Sequence, residues 1–268
     1  MNTANQIVDL AKPGDLIELA SNQVKYFIFE LKEGEEFHTH RGIVKHDDMI
    51  GKPYGSVIDS HKGGHFYLFK PGITELVQST KRNTQIMYPK DIGYILLRLD
   101  IHPGSTVIEA GTGSGGLTQV LASYVGSEGH VYTFESREEM QNLAKKNITR
   151  LGIENRISFN IRDISDGFGM TGADALFLDL PNPYDLIQQS KDALKPGGYF
   201  GALLPTTNQV IKLLISLERN NFAFIDVCEI ALRFYQSDPV KFRPVDRMVA
   251  HTGYLIFARS VIETLIEE

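Results

Sequence analysis

Two rhythms of apolar and polar positions divide this chain. Through the first 75 residues the apolar positions gather in short runs: DLIEL at 15–19, VKYFIFEL at 24–31, FHTHRGIVKH at 37–46, SVIDS at 56–60 and HFYLFKP at 65–71. Glycines at 14, 34, 51, 55, 63 and 64 separate them, with no helical period between. Short β-rich runs broken by glycine turns predict a small barrel or sandwich. Residues 75–90 read as a polar connection ending in Tyr88-Pro89, and proline suits the first position of a helix over 90–101.

From residue 104 the period changes. STVIEAG (105–111), HVYTFES (130–136), ISFNIRD (157–163), ADALFLDL (173–180) and YFGALLP (199–205) read as strands. Helical patterns over 116–126, 137–152, 185–194 and 208–221 accompany them. Strands alternating with helices require a parallel sheet covered on both faces. The last two β-runs, 222–234 and 251–260, have no helix between them and are expected to pair antiparallel. The expected architecture is α/β: a doubly wound, Rossmann-like domain over 76–268, preceded by a smaller all-β, barrel-like domain over 1–75.

Composition narrows the class. With 268 residues and 42% of them hydrophobic, disorder is excluded as the main state. The single cysteine, Cys228, excludes an intrachain disulfide framework and a Cys-rich zinc site, and its apolar surroundings predict a buried, inert thiol. The opening residues have no signal-peptide pattern, and no apolar run approaches the ~18 residues of a membrane span. A cytoplasmic protein without membrane contact is expected. The formal charge of −6, from 27 Lys+Arg against 33 Asp+Glu, argues against nucleic acid covering the whole surface but not against a local basic strip.

The strongest local signal is Glu109-Ala110-Gly111-Thr112-Gly113-Ser114-Gly115-Gly116-Leu117, between a strand and a helix. Glycines there allow a ligand close to the backbone, and the following helix offers free N–H groups. Gly111, Gly113 and Gly116 also satisfy the dinucleotide G-x-G-x-x-G pattern, and Glu135 ending the next strand suits two ribose hydroxyls in either case. Three features favour a methyl donor over a nicotinamide. Glu109 two residues before the first glycine resembles the E/D-x-G-x-G-x-G motif of class I S-adenosylmethionine-dependent methyltransferases. The Leu194-Lys-Pro-Gly-Gly198 turn resembles theirs, and Asp163 ends the third strand where that superfamily holds the adenine amino group.

Four further segments resemble a narrower group. Thr84-Gln85-Ile86-Met87-Tyr88-Pro89-Lys90-Asp91, the glycine loop, Asp179-Leu180-Pro181-Asn182-Pro183-Tyr184 and the stretch from Arg243 through Arg247 and His251 to Tyr254 are together similar to the tRNA (adenine-58-N1)-methyltransferases. The Thr-His-Arg-Gly-x-x-x-His-x-x-x-Ile-Gly segment at 39–51 extends the likeness into the N-terminal domain. The resemblance implies methylation of N1 of adenine 58 in the tRNA T-loop by S-adenosyl-L-methionine, leaving adenine 57 open as a second acceptor. It implies a homotetramer as well. It assigns Ser114 to Leu117 to the cofactor through the loop, Glu135 to its ribose, Asp163 to its adenine edge, Met140 to packing beside that adenine, and Gln85 to a segment folded over it. Asp179 would border the cofactor and hold the target adenine as the catalytic residue. Tyr88, Pro181, Tyr184, Arg243, Arg247, His251 and Tyr254 would serve the RNA. Tyr184 stands where many members carry Trp.

Two other readings compete. The same scaffold could serve a protein-carboxyl or small-molecule acceptor, and related two-subunit enzymes contain a non-catalytic tRNA-binding chain. The intact Gly111, Gly113, Gly115, Glu135 and Asp179 weigh against the latter. Lys81-Arg82 and the cluster Arg233, Lys241, Arg243, Arg247 are equally readable as phosphate contacts or solvated charge. Tyr235 could stack on a base or pack in the core. His38 and His40, two apart, would share one face of a strand, but no acid or cysteine pattern completes a ligand set, so no metal is expected.

Overall fold

The computed structural model describes residues 8–22, 25–82 and 87–263. Two compact units divide the chain between Ser79 and Thr80. The first contains strands β1 (Leu16–Ala20), β2 (Tyr26–Glu30), β3 (Glu36–Thr39), β4 (Gly42–Lys45), β5 (Val57–Asp59) and β6 (His65–Phe69), then helix α1 (Ile73–Gln78). Four of the strands form an antiparallel sheet ordered β2-β1-β6-β5, and β3 pairs with β4 as a separate hairpin. β6 alternates as a half-buried strand must: Phe66 and Leu68 point inward, His65, Tyr67 and Phe69 outward. Ile17, Leu19, Leu31 and Met49 complete this core.

Two expectations change. Residues 37–46 are not one strand but a hairpin, because Gly42 adopts φ +116° and the Thr39 hydroxyl holds the turn, donating to the Gly42 carbonyl at 2.7 Å and accepting from the Arg41 amide at 3.0 Å. His40 lies in that turn, so it does not share a strand face with His38. Part of the expected polar connection is helix α1, belonging to the first unit.

Two of the N-terminal histidines act as backbone acceptors. His46 Nδ1 accepts the Lys32 amide at 3.0 Å, and His61 Nδ1 accepts that of Ile43 at 2.7 Å. Burial pushes the His46 imidazole below its usual value, outweighing nearby Glu35 and Asp47. The unfolded chain therefore takes up a proton first on acidification. His46 stabilises the fold fully above the ordinary histidine pKa of about 6.5, and that contribution is lost as pH falls below it. Calorimetry of the full chain should register a thermal transition moving down between about pH 7.5 and about pH 5.5. His46→Asn, whose Oδ1 can accept the same amide without titrating, should flatten that trend; an unchanged trend would exclude His46 as its source.

The second unit runs α2 (Pro89–Arg98), β7 (Thr106–Ala110), α3 (Gly116–Val125), β8 (His130–Glu135), α4 (Glu138–Thr149), β9 (Ile157–Ile161), β10 (Ala173–Leu178), α5 (Ile187–Ala193), β11 (Leu194–Leu204), α6 (Thr207–Arg219), β12 (Phe222–Cys228) and β13 (Tyr254–Ser260). Its sheet is ordered β12-β13-β11-β10-β7-β8-β9, parallel from β11 to β9, with β13 antiparallel to both its neighbours. The central strands read as unbroken apolar runs because both faces are covered: Ala175, Leu176, Phe177 and Leu178 are all fully buried. The 194–198 turn is absorbed into β11 as an irregularity, the β10 register jumping from Leu194 to Tyr199. The run at 222–234 stops as a strand at Cys228, which is half-buried rather than buried. Between residues 229 and 253 the backbone has no regular element, apart from a bridge between Tyr235 and Pro244. No helix among the described residues is long and apolar enough to cross a membrane.

β7 is where the strand order turns: the chain proceeds from it to β8 and β9 on one side, then crosses to β10 on the other. Open α/β sheets bind ligands beyond the carboxyl ends of the strands at such a point.

Candidate active site

Two tight reversals, after β7 and after β10, build the site. Beyond Ala110 the chain turns through Gly111 at φ +96°, Gly113 at +54° and Gly115 at +84°, left-handed conformations that favour glycine. Gly111 is doubly constrained. A Cβ there would overlap the backbone oxygen of Asp179 and lie 3.0 Å from its carbonyl carbon. The Asp179 amide donates to the Ala110 carbonyl and the Gly111 amide to that of Phe134, each at 2.9 Å, tying the loop to both neighbouring strands. Gly115 then caps α3, whose first amides have no partner within the helix.

These reversals floor an open cleft of about 590 Å³. Of the residues expected at a cofactor, Glu109, Gly111, Gly113, Ser114, Gly116, Leu117, Glu135 and Asp179 line it, with Pro181 beside them. Its electrostatics are set by three carboxyl groups. Glu109 is buried, and that burial pushes its carboxyl up to about 7; hydrogen bonds from Thr118 and Thr133 oppose the rise, while Asp179 and Glu135 add to it. Burial also raises Glu135, but Arg137 and the Gly113 amide outweigh it and hold the group below the usual carboxylate range. Its Oε2 accepts from Gly113 N at 3.1 Å, and its Oε1 from Arg137 N and Nε at 3.2 and 3.1 Å. Asp179 is open to the cleft, yet protein atoms crowd its carboxyl and this desolvation pushes it up to about 6.

Other expected residues lie elsewhere. Met140 is buried in α4 and Gly115 packs beneath the loop, where its Cβ position would lie 3.2 Å from that of Ala144; neither lines the cleft. Asp163 is exposed beyond β9, its Oδ1 capping a short 3-10 turn by accepting the Ser165 amide at 2.9 Å, again outside the cleft wall. The Tyr184 ring packs toward α6, with Lys212 Nζ 5.1 Å from the ring centre. The Tyr88 carbonyl accepts the Asp91 and Ile92 amides and so starts α2. His251 is a strut behind the rim, with Nδ1 2.8 Å from Glu229 Oε2 and Nε2 3.3 Å from the Pro205 carbonyl; the Glu229 carboxylate raises its pKa. Tyr254 opens β13, its ring 4.8 Å from that of His251. Arg243 pairs with Asp246, and Arg243 and Arg247 lie in the exposed 229–250 segment. Gln85 lies outside the described residues.

The cleft also recruits Met87, Ser136, Arg137, Leu203, Pro205 and Gln209. Met87 lies in the Thr84–Asp91 segment that resembles the family and Arg137 two residues beyond Glu135, whereas no chemical signal marked Leu203, Pro205 or Gln209. Gln209 braces Pro181 at the cleft: its Nε2 donates to the Pro181 carbonyl at 2.8 Å, and its Oε1 accepts from Thr206 at 2.5 Å. Near Met87, buried Lys90 and Asp91 pair at 2.7 Å, and Thr252 donates to Asp91 at 2.8 Å, joining the start of α2 to the approach of β13. Among the described residues no group of histidine, cysteine or acidic side chains could hold a metal ion.

A seven-stranded sheet of this order, with a glycine turn beneath an acidic cleft at its switch point, defines the Rossmann-like methyltransferase class. A family model described as the tRNA methyltransferase complex GCD14 subunit matches residues 64–242, and a TrmI-like N-terminal model matches residues 11–58. The chain belongs to the tRNA (adenine-58-N1)-methyltransferase family. It is 36% identical to the tRNA (adenine(57)-N(1)/adenine(58)-N(1))-methyltransferase TrmI of Methanocaldococcus jannaschii, covering 88% of this chain and 92% of that protein. Identity to the Thermus thermophilus tRNA (adenine(58)-N(1))-methyltransferase TrmI is 32%, over 93% and 98%. Among solved structures, the tRNA (m1A58) methyltransferase TrmI of Aquifex aeolicus aligns with TM-score 0.82 and 36% identity, over 95% of this chain and all of that one. A Thermotoga maritima structure described as a SAM-dependent O-methyltransferase aligns at 0.90 and 40%, over 99% and all of that chain.

Proposed function

We propose that this chain methylates N1 of adenine 58 in the T-loop of tRNA, with S-adenosyl-L-methionine as methyl donor, in the cytoplasm. The observation that carries the reading is Asp179, a carboxylate open to the cleft and hydrogen-bonded through its backbone to the strand that begins the glycine loop. The residues fit the donor. Glycines with left-handed backbone let a ligand lie on the loop, and Glu109 and Glu135 supply anionic groups on its wall for a cation and a ribose. Gly111, Gly113, Ser114, Gly116 and Leu117 would hold it, and Asp163, beyond β9 and outside the cleft wall, would meet its adenine edge where the ligand extends past Glu135. When bound, the donor supplies an electrophilic methyl group on a sulfonium.

Adenine N1 already has an in-plane lone pair, so the protein's task is alignment rather than base catalysis. Asp179 would accept from the exocyclic amine, fixing the base and stabilising the positive charge that develops on it. The T-loop base must leave its stack to reach the cleft, at a cost of a few kcal/mol. Gln209 would keep Pro181 at the edge of that pocket. Methyl transfer from labelled donor to tRNA, with none to peptide, tests the reading; transfer to a hydroxyl or carboxyl acceptor instead would favour the O-methyltransferase description of the Thermotoga relative.

A multimer of this chain, a homotetramer by family likeness, completes the proposal. Phe234, Val240 and Phe242 are 66–89% exposed on the 229–250 segment, beside Arg233, Lys241, Arg243 and Arg247. Such a display of large apolar side chains on an irregular segment favours a protein partner. Sedimentation should give a species larger than one chain, and Val240→Ser with Phe242→Ser should shift it toward the monomer; a monomer at all concentrations would contradict this.

A further inference from the structure

Behind the glycine loop lies a hydroxyl chain that no part of the proposed transfer uses. Thr118 on α3 and Thr133 on β8 are both fully buried. Each donates to the same oxygen, Glu109 Oε2, at 2.6 and 2.7 Å. Thr133 is thereby left to accept from Thr112 of the glycine loop, at 2.6 Å. Glu109 Oε1 has no hydrogen-bond partner among the described residues, although Glu109 lines the cleft.

We propose that Thr118 and Thr133 are positioning residues that set both the direction and the charge of Glu109, saturating Oε2 so that Oε1 is offered to the cationic methionyl portion of the methyl donor. This rests on the cofactor reading above. Two hydroxyl donors on one oxygen fix the carboxylate plane, and they favour its ionised form. They are needed because the charged groups acting on Glu109 oppose ionisation: Asp179 beyond β10 and Glu135 at the end of β8 are both anionic, and Arg137 is spent on Glu135. Without the hydroxyls the group would stay protonated through neutral pH and meet a cation as a neutral acid.

The test is the affinity for S-adenosylmethionine, measured by calorimetry at about pH 6.5 and about pH 8.5 for the unaltered chain, Thr118→Val, Thr133→Val and Thr133→Ser. Taking the variant-to-parent ratio of Kd at each pH cancels titration of the ligand. Raising the Glu109 pKa by about one unit should weaken binding about tenfold at the lower pH and less than about twofold at the higher. Thr133→Ser, which retains the hydroxyl, should bind like the parent. Equal weakening at both pH values would mark the threonines as packing only and overturn the inference, as would unchanged binding by the valine variants. Failure of the unaltered chain to bind the donor would instead overturn the cofactor reading, and this inference with it.

Discussion

Replacing Asp179 by alanine should lower methyl transfer by about 10²–10³-fold while leaving the affinity for S-adenosylmethionine within about threefold. The asymmetry follows from geometry. Glu109, Glu135 and the glycine loop make up the rest of the cofactor wall, and all remain. Losing Asp179 also removes one of the anions that keep Glu109 from ionising. What disappears is the acceptor that holds the target base and meets its developing charge. Asp179→Asn keeps a hydrogen-bonding side chain but not the charge, so it should retain more activity than alanine and less than the parent. The pH profile carries a second signature. With the carboxyl pushed up to about 6 and ionisation required, turnover should rise through that region and level off above it, and the acid limb should vanish in Asp179→Asn. A bound cation would move the limb lower. Single-turnover rates with saturating donor separate the two effects.

Gly111→Ala should be the more destructive change, since it strikes the fold and the site together. At φ +96° an alanine is strained wherever it sits, at a cost on the order of 1–3 kcal/mol. The new methyl would also occupy the space of the Asp179 backbone, forcing apart the ends of β7 and β10 where Asp179 N and Ala110 O are bonded. Loss of detectable donor binding is expected, with a lowered thermal midpoint. Gly113→Ala provides the control. It has left-handed strain of its own at φ +54°, but its Cβ would meet nothing closer than the Gly111 carbonyl at 3.9 Å, so it should lose clearly less stability than Gly111→Ala. Equal behaviour of the two variants would mean the close approach at Gly111 is not what demands glycine there.

The sequence made the cofactor side legible because its chemistry is local. A glycine loop between a strand and a helix, and an acid ending the next strand, are read within 30 residues, and Gly111, Gly113 and Glu135 all line the cleft. The acceptor side was less legible because it is assembled by topology. Gln209 and Pro205 reach the cleft only because β11 lies beside β10, and nothing around Gln209 in sequence announces its bond to Pro181. The direction of Tyr184 was hidden for a related reason: a short 3-10 turn beginning at Pro183 directs its ring toward α6. His40 failed at a two-residue turn, where one glycine in a left-handed conformation converts a long β-run into a hairpin. The irregular stretch after Cys228 kept a strand-like composition without a strand, since its apolar side chains face outward instead of pairing in the sheet.

The central claim is the identity of the product. Unmodified tRNA incubated with the chain and S-adenosylmethionine, then digested to nucleosides and analysed by mass spectrometry, should yield 1-methyladenosine, and fragment mapping should locate it at position 58 of the T-loop. The same digest from Asp179→Ala should contain little or none. A methylated nucleoside other than 1-methyladenosine, or tRNA left unmethylated by a chain that binds the donor, would contradict the account.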